Sequence, residues 1–125
     1  MQRRVLGRSA ASYSNGLVVE GQRLVFISGQ LPTDEAGKLV GADDFDAQVR
    51  QTFANIERLL NQAGAGLGDV VKITAFLTTL KPYPRYSAIR GELFAPNYPT
   101  SAAVQVAGLV VPGAMIEIEA IAVLG

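Results

Sequence analysis

The segment Met115-Ile116-Glu117-Ile118-Glu119-Ala120-Ile121-Ala122-Val123 decides the fold, because it alternates like a β-strand whose two faces differ. One face is apolar throughout and consists of Ile116, Ile118, Ala120, Ala122 and Leu124. The other face begins with the carboxylates of Glu117 and Glu119 and ends with Ile121 and Val123. Carboxylates beside residues that favour burial indicate a cleft or a subunit interface, since an ordinary edge strand would be polar along its whole outer face.

The composition predicts a single domain, residues 1–125, that buries some of its surface against other subunits. Hydrophobic residues make up 49% of the chain and charged residues only 18%, which is little charge for a small monomer. Eleven basic and eleven acidic residues cancel, which disfavours nucleic acid as the main partner. The segment after Met1 lacks the apolar core of a signal peptide, and the apolar runs are too short to cross a membrane. A cytoplasmic protein is therefore expected.

The chain contains no Cys and no His. This excludes thiol nucleophiles, Ser-His-Asp triads and nearly every zinc site. An acid or base must be Asp, Glu, Lys, Tyr or an ordered water. We expect no metal and no cofactor.

Hydrophobic periodicity predicts an α+β domain with the order β-β-α-β-α-β-β. The predicted elements are strands at 17–20 and 24–28, a helix at 45–63, a strand at 69–78, a helix opened by Pro82 and ended by Ala95-Pro96, and strands at 102–106 and 115–123. The first two strands form an antiparallel hairpin in this prediction, and residues 5–6 are a possible further short strand. The helices cover one face of a mixed sheet, which leaves apolar side chains on the other face for a closed oligomer to cover: Leu24, Phe26, Ile121 and Val123.

Several segments, taken in order, resemble the RidA/YjgF family, the reactive-intermediate deaminases that are also described as L-PSP endoribonuclease-like. They are Tyr13 in its Ser/Asn/Gly-rich segment, FISGQLP at 26–32, the helix segment 48–60, GDVVKIT at 68–74, and IEIEAIAV at 116–123. The resemblance covers essentially the whole chain. It implies a chorismate-mutase-like fold, a homotrimer with a small-molecule cleft between neighbouring subunits, and hydrolysis of 2-imino acids and enamines to 2-keto acids and ammonia.

The resemblance also implies roles for individual residues. Glu119 matches the glutamate that holds the attacking water and is the candidate catalytic residue. Tyr13 matches the cleft tyrosine, and Ser28 and Gly29 match the strand end that lines the cleft. Each of these residues also has a purely structural alternative. Glu119 could be an interface carboxylate, Tyr13 a loop anchor, and Ser28-Gly29 a strand terminator. Glu117 is expected to form an ion pair at the rim.

The remaining matches indicate a subgroup that lacks the arginine with which deaminating members bind the substrate carboxylate. Ser101 stands in the position of that arginine, Ser87 in that of a helix asparagine, and Ala103 in that of a frequent cysteine. These three positions are expected to contact the ligand. A serine supplies neither a positive charge nor two parallel N–H donors for a carboxylate. An uncharged or amide-like substrate is therefore compatible with the resemblance.

Other cations could replace the arginine. Arg90 and Arg85, on the second helix, and Arg8, near the start, are the candidates, with solvent-facing charge as the favoured interpretation for all three. Lys72 is expected to be a cation at the end of a strand face rather than a site residue.

The leading hypothesis is a deaminase of imines or enamines with altered specificity, and there are two alternatives to it. One is a non-catalytic small-molecule binding or regulatory trimer. The other, disfavoured by the neutral charge and the absence of His, is a ribonuclease.

Overall fold

The computed structural model describes residues 2–9 and 11–125. The strands are β1 (Gln2–Leu6), β2 (Gly16–Glu20), β3 (Arg23–Gln30), β4 (Val70–Leu77), β5 (Thr100–Gln105) and β6 (Ile116–Leu124). The helices are α1 (Phe45–Gln62) and α2 (Tyr83–Phe94), and a 3₁₀ turn at Leu67–Asp69 precedes β4. Both predicted helices and the strand at 69–78 are confirmed, with boundaries that differ by a few residues.

The main sheet has the order β3-β6-β4-β5. Strand β6 is antiparallel to both neighbours, whereas β4 and β5 are parallel and joined through α2. Parallel neighbours need such a crossover connection, and helices commonly supply it. The predicted segment 115–123 therefore lies at the centre of the sheet.

The predicted hairpin of residues 17–20 and 24–28 is wrong. Strand β2 pairs antiparallel with β1, in a separate two-stranded sheet, and β3 pairs with β6. The turn between β2 and β3 is held against the end of β6, because Gln22 N donates to Leu124 O at 2.8 Å. Antiparallel pairing with β6 also buries Ile27 of β3 beneath the helices. The chain thus has one more strand than the predicted order, at the position where residues 5–6 indicated a short strand.

Helix α1 supplies most of the cover for one face of the main sheet. It begins after Asp44, whose carboxylate accepts a hydrogen bond from Ala47 N at 3.0 Å. Its apolar side chains pack on the sheet side chains of β4 and β6 as one core, which includes Val49, Phe53, Ile56, Leu60, Ile73, Leu77, Ile116 and Ile118. The apolar face predicted for the last strand is confirmed, since Ile116, Ile118, Ala120, Ala122 and Leu124 are all buried.

One glutamine of α1, Gln48, is fully buried. Gln48 Nε2 donates to Gly41 O at 3.1 Å and to Gly113 O at 3.0 Å, and its Oε1 accepts from Met115 N at 2.8 Å. The side chain therefore holds the loop before α1 and the loop before β6 together. It fixes the start of the central strand.

The opposite face of the main sheet, here called the open face, carries Leu24, Phe26, Lys72, Thr74, Glu119 and Ile121. Leu24 is 61% and Phe26 69% exposed. Val123, expected on this uncovered face, is instead buried because the turn at Gly21 packs against it. In the part of the chain that the structure describes, no helix has the length and apolar character needed to cross a membrane.

Candidate functional site

A cleft of about 190 Å³ lies on the open face. It is lined by Phe26, Ile27, Ser28, Lys72, Thr74, Glu119, Ala120 and Ile121. The pairing of the strands explains this convergence, because Thr74 lies directly opposite Glu119 and Phe26 lies opposite Ile121. Two of the predicted site residues, Ser28 and Glu119, therefore line the same cleft.

Lys72 is a cleft residue that the sequence interpretation did not favour. It shares the open face with Thr74, and its Nζ donates to Thr74 Oγ1 at 3.0 Å. The signal was present in the alternation of β4, which puts Lys72 and Thr74 on one face and Ile73 on the other. The cleft thus holds a carboxylate, an ammonium and two hydroxyls within apolar walls.

The end of β3 is shaped by Gly29. The pairing of β3 with β6 shifts register between Ile27 and Gln30, so the chain bulges at Ser28-Gly29. A Cβ on Gly29 would come within 2.8 Å of Cδ of Glu117, so the glycine leaves space for that carboxylate side chain to lie across the backbone in this rotamer. Glu117 is half-buried there and does not line the cleft.

A second group of side chains surrounds the guanidinium of Arg90, where α2 meets β5. Arg90 is only 1% exposed. It donates to four hydroxyl oxygens at 3.0–3.3 Å, those of Ser12, Ser101, Tyr83 and Ser87. Its Cζ lies 5.1–5.8 Å from three ring centroids, those of Tyr13, Tyr83 and Tyr86. These seven residues are called the Arg90 cluster.

The favoured interpretation of Arg90 as a solvent-facing charge is wrong. Arg90 follows Tyr86 by four residues and Ile89 by one, so it lies on the side of α2 that faces the core. This helical spacing was a signal in the sequence, but a charge in an apolar stripe is normally assigned to solvent. Arg85 is exposed and pairs with Asp46 at 2.9 Å, and Arg8 is exposed.

The Arg90 cluster combines a buried cation with a hydroxyl that lacks a partner. The ion pairs in the described residues use other arginines, namely Arg50, Arg58 and Arg85. The Tyr86 hydroxyl is buried near Arg90 and Ser101 but makes no hydrogen bond of acceptable geometry. Burial raises the pKa of Tyr86, and the nearby Arg90 charge only partly offsets this.

The predicted site residues form two groups on opposite faces of the sheet. Ser101 pairs with Ile73, which points towards the helices, whereas Glu119 pairs with Thr74, which points to the open face. Ala103 shares the helix-covered face and packs against the core. One copy of the chain therefore brings Ser28 to Glu119, and Tyr13 and Ser87 to Ser101, but it does not bring the two groups together.

The described residues, 2–9 and 11–125, contain no group of three or more His, Cys, Asp or Glu side chains that could hold a metal ion. The polar chemistry of both groups comes instead from a carboxylate, two cations and hydroxyls.

Comparison with known proteins gives consistent matches over nearly the whole chain. The family model described as endoribonuclease L-PSP matches residues 4–124. The chain is 37% identical over 103 residues to the 3-aminoacrylate deaminase RutC of Acinetobacter baylyi, covering 82% of this chain and 81% of that protein. It is 34% identical over 113 residues to the 2-iminobutanoate/2-iminopropanoate deaminase of Bos taurus, covering 90% and 80% of the two chains.

A solved structure shares the fold closely. The crystal structure of YyfB from Yersinia pestis, described as a protein of unknown function of the conserved Rid protein family, superposes with a TM-score of 0.88. It is 30% identical in sequence, and the match covers 99% of this chain and all of that one, 100%.

Proposed function

The chain belongs to the endoribonuclease L-PSP family, which is also the RidA/YjgF family, and from this premise we propose that it is a deaminase of small imines or enamines. Two relatives at 34–37% identity are named as deaminases of such compounds. The observation that carries the proposal is the open-face cleft, in which the Glu119 carboxylate, the Ser28 hydroxyl and the Lys72 ammonium share one small volume.

The proposed reaction needs only water as a co-substrate. The Glu119 carboxylate accepts a proton from a water molecule while the water oxygen attacks the C=N carbon. With the imine protonated at nitrogen, this attack gives a neutral carbinolamine and a protonated Glu119. Glu119 returns its proton to the nitrogen, and the C–N bond breaks to release ammonia while the hydroxyl proton passes back to the Glu119 carboxylate and the carbon becomes a carbonyl. An enamine enters the same path after protonation at carbon gives the protonated imine.

Ser28 and Lys72 would orient the substrate beside Glu119. The Ser28 hydroxyl can donate to or accept from a polar substrate group. The Lys72 ammonium supplies positive charge on the same sheet face as the carboxylate, and Phe26 and Ile121 add apolar surface to the cleft. This combination suits a small molecule that carries both a polar group and a short apolar group.

The proposal includes a homotrimer with the cleft completed by a neighbouring subunit. Leu24 and Phe26 are large apolar side chains that remain exposed on the open face of one copy, which supports a second copy as their cover. A neighbour would also allow the Arg90 cluster of one subunit to approach the cleft of another. The shared site would then contain Ser28 and Glu119 from one chain and Tyr13, Ser87 and Ser101 from the next.

The test is imine hydrolysis in a coupled assay. An amino-acid oxidase generates 2-iminobutyrate or 2-iminopropionate in the presence of semicarbazide, and hydrolysis by the added protein lowers the amount of semicarbazone formed. We expect wild type to lower it and Glu119→Gln to lose at least about 100-fold in rate, since general acid–base catalysis contributes roughly 10²–10⁴-fold.

Glu117→Gln is the matched control, because Glu117 is on the same strand face but outside the cleft lining. It should keep most of the activity. Absence of activity in wild type with these imines would count against the deaminase and in favour of a non-catalytic binding protein. Equal activity in wild type and Glu119→Gln would show that the role given to Glu119 is wrong.

A further inference from the structure

We propose that Lys72 is a specificity-determining residue of the open-face cleft, where its ammonium binds an anionic group on the side chain of the substrate. The preferred substrates are then imines that carry a carboxylate one or two carbons away from the C=N carbon, such as 2-iminosuccinate. The inference rests on the proposed function for the reaction itself, but binding of the anion at Lys72 can be measured without catalysis.

The first support is the distribution of charge in the cleft. Among the described residues that line it, Lys72 is the only cation and Glu119 the only carboxylate. They do not pair with each other, because the ion pairs of the described residues use Arg50, Arg58 and Arg85. The cleft thus offers a positive charge that no opposite charge contacts, and such a charge beside apolar walls attracts anionic ligand groups.

The second support is the set of hydrogen-bond donors around this charge. Lys72 Nζ donates to Thr74 Oγ1 at 3.0 Å, which is its one hydrogen bond to residues 2–9 and 11–125. An ammonium has three N–H groups, so two remain for a ligand. The Thr74 hydroxyl, which accepts from Lys72, can still donate its own proton. A carboxylate can therefore accept hydrogen bonds from Lys72 and Thr74 together.

The pairing of the strands sets the distance between these donors and Glu119. Thr74 lies directly opposite Glu119 in the antiparallel pair of β4 and β6, so their Cβ atoms are about 4.5–5.5 Å apart. Lys72 pairs with Ile121 and is a diagonal neighbour of Glu119, about 7–8 Å away. A carboxylate bonded directly to the C=N carbon stays beside Glu119, whereas a carboxylate one or two carbons further along the substrate reaches the ammonium.

The proposed anion site at Lys72 is distinct from the Arg90 cluster. Lys72 and Thr74 lie on the open face, whereas Ser101 and Arg90 lie on the face that the helices cover. Lys72 is also exposed in one copy of the chain, unlike Arg90. Its ammonium can therefore meet a ligand without movement of the side chains around it.

The first experiment measures binding at Lys72 itself, with succinate and with succinamide, which has nearly the same shape but no charge. The chain contains three lysines, Lys38, Lys72 and Lys81. Protein made with lysine labelled with carbon-13 at Cε therefore gives one NMR signal for each of them, and Lys72→Gln identifies the signal of Lys72. The signals of Lys38 and Lys81, which do not line the cleft, are the controls in the same sample.

We expect succinate, titrated at constant ionic strength, to shift the Lys72 signal to saturation and to leave the other two signals unchanged. Succinamide should bind at least about fivefold more weakly, since it lacks the charge. The inference is overturned if succinate does not shift the Lys72 signal, if it shifts all three signals alike, or if succinamide binds equally well.

The second experiment measures the substrate preference in the semicarbazide assay. L-aspartate oxidase supplies 2-iminosuccinate from aspartate, and D-amino-acid oxidase supplies the corresponding side-chain amide from D-asparagine. The ratio of kcat/KM for the acid to that for the amide should be at least about fivefold higher in wild type and Lys81→Gln than in Lys72→Gln. The change should lie mainly in KM, because Lys72 contacts a part of the substrate that does not react. An equal ratio in wild type and Lys72→Gln would overturn the inference.

The two proposals can fail separately. A Lys72 signal that responds to succinate, in a protein that hydrolyses no imine, would remove the deaminase and leave the anion site. Imine hydrolysis that depends on Glu119, with the same preference in wild type and Lys72→Gln, would remove the anion site and leave the deaminase.

Discussion

Replacement of Gln48 by leucine tests how the central strand is held in place. The side chain of Gln48 is fully buried and makes three hydrogen bonds, to Gly41 O, Gly113 O and Met115 N. Leucine has a similar size but makes none of them. Gly113 is exposed, so water can replace the lost bond there, whereas the Met115 N–H and Gly41 O are partly buried.

The expected loss follows from these environments. Leaving a backbone group unpaired costs about 1–2 kcal/mol when the group is only partly buried, so the Met115 N–H and Gly41 O together cost about 2–4 kcal/mol. Burial of the leucine side chain offsets about 1 kcal/mol. The free energy of unfolding should therefore fall by about 1–3 kcal/mol in Gln48→Leu.

Urea unfolding measures the free energy of unfolding, and amide hydrogen exchange shows which part of the chain is destabilised. The Met115 amide should exchange faster in Gln48→Leu than in wild type under native conditions. Gln62→Leu, at the exposed end of the same helix, should change the free energy of unfolding by no more than about 0.5 kcal/mol. A loss below about 0.5 kcal/mol in Gln48→Leu, with unchanged exchange at Met115, would refute the reasoning.

Further predictions concern the bulge, the buried tyrosine and the open face. Gly29→Ala should lower the free energy of unfolding by no more than about 1 kcal/mol, because its Cβ meets only the flexible end of the Glu117 side chain, which can rotate away. A larger loss in urea unfolding that Gly29→Ala/Glu117→Ala does not recover would contradict this. Tyr86→Phe should lower the free energy of unfolding at neutral pH by no more than about 1 kcal/mol, because the hydroxyl makes no hydrogen bond of acceptable geometry; a clearly larger loss would contradict this. Burial raises the pKa of Tyr86 above the unfolded value of about 10, so wild type should lose stability relative to Tyr86→Phe as the pH rises above about 10, which unfolding at successive pH values measures. Phe26→Asp should convert the proposed trimer to smaller species in sedimentation, since Phe26 is 69% exposed in one copy. A Phe26→Asp variant that sediments with the same mass as wild type would contradict this.

Local patterns predicted the elements that depend on local chemistry. The helix α1, the prolines around α2 and the two faces of β6 are all present in the structure. These features depend on neighbours within a few residues, so they can be read directly from the sequence. Strand pairing depends on distant segments, and the hairpin between β2 and β3 was wrong for that reason.

In the candidate site, too, local patterns predicted some features and the folded chain was needed for the others. Alternation put Glu117 and Glu119 on one strand face, and the family resemblance selected Glu119, but only the folded chain showed that Lys72 shares the cleft with Glu119 and Ser28. The hydrogen bonds of Gln48 to two loops could not be predicted, because a helix period does not reveal which loops pack against the helix.

By itself the sequence determined the strand and helix content, the absence of cysteine and histidine chemistry, and the polarity of the last strand. Only the tertiary structure decided that Arg90 lies inside the protein, against Ser101 and three tyrosine rings, rather than in solvent. The physical reason is that burying a charge is unfavourable unless several distant groups converge to stabilise it. Residues 12 and 13 meet α2 and β5 only through the packing of the whole chain, so the helical spacing of Arg90 alone could not reveal the groups that stabilise it.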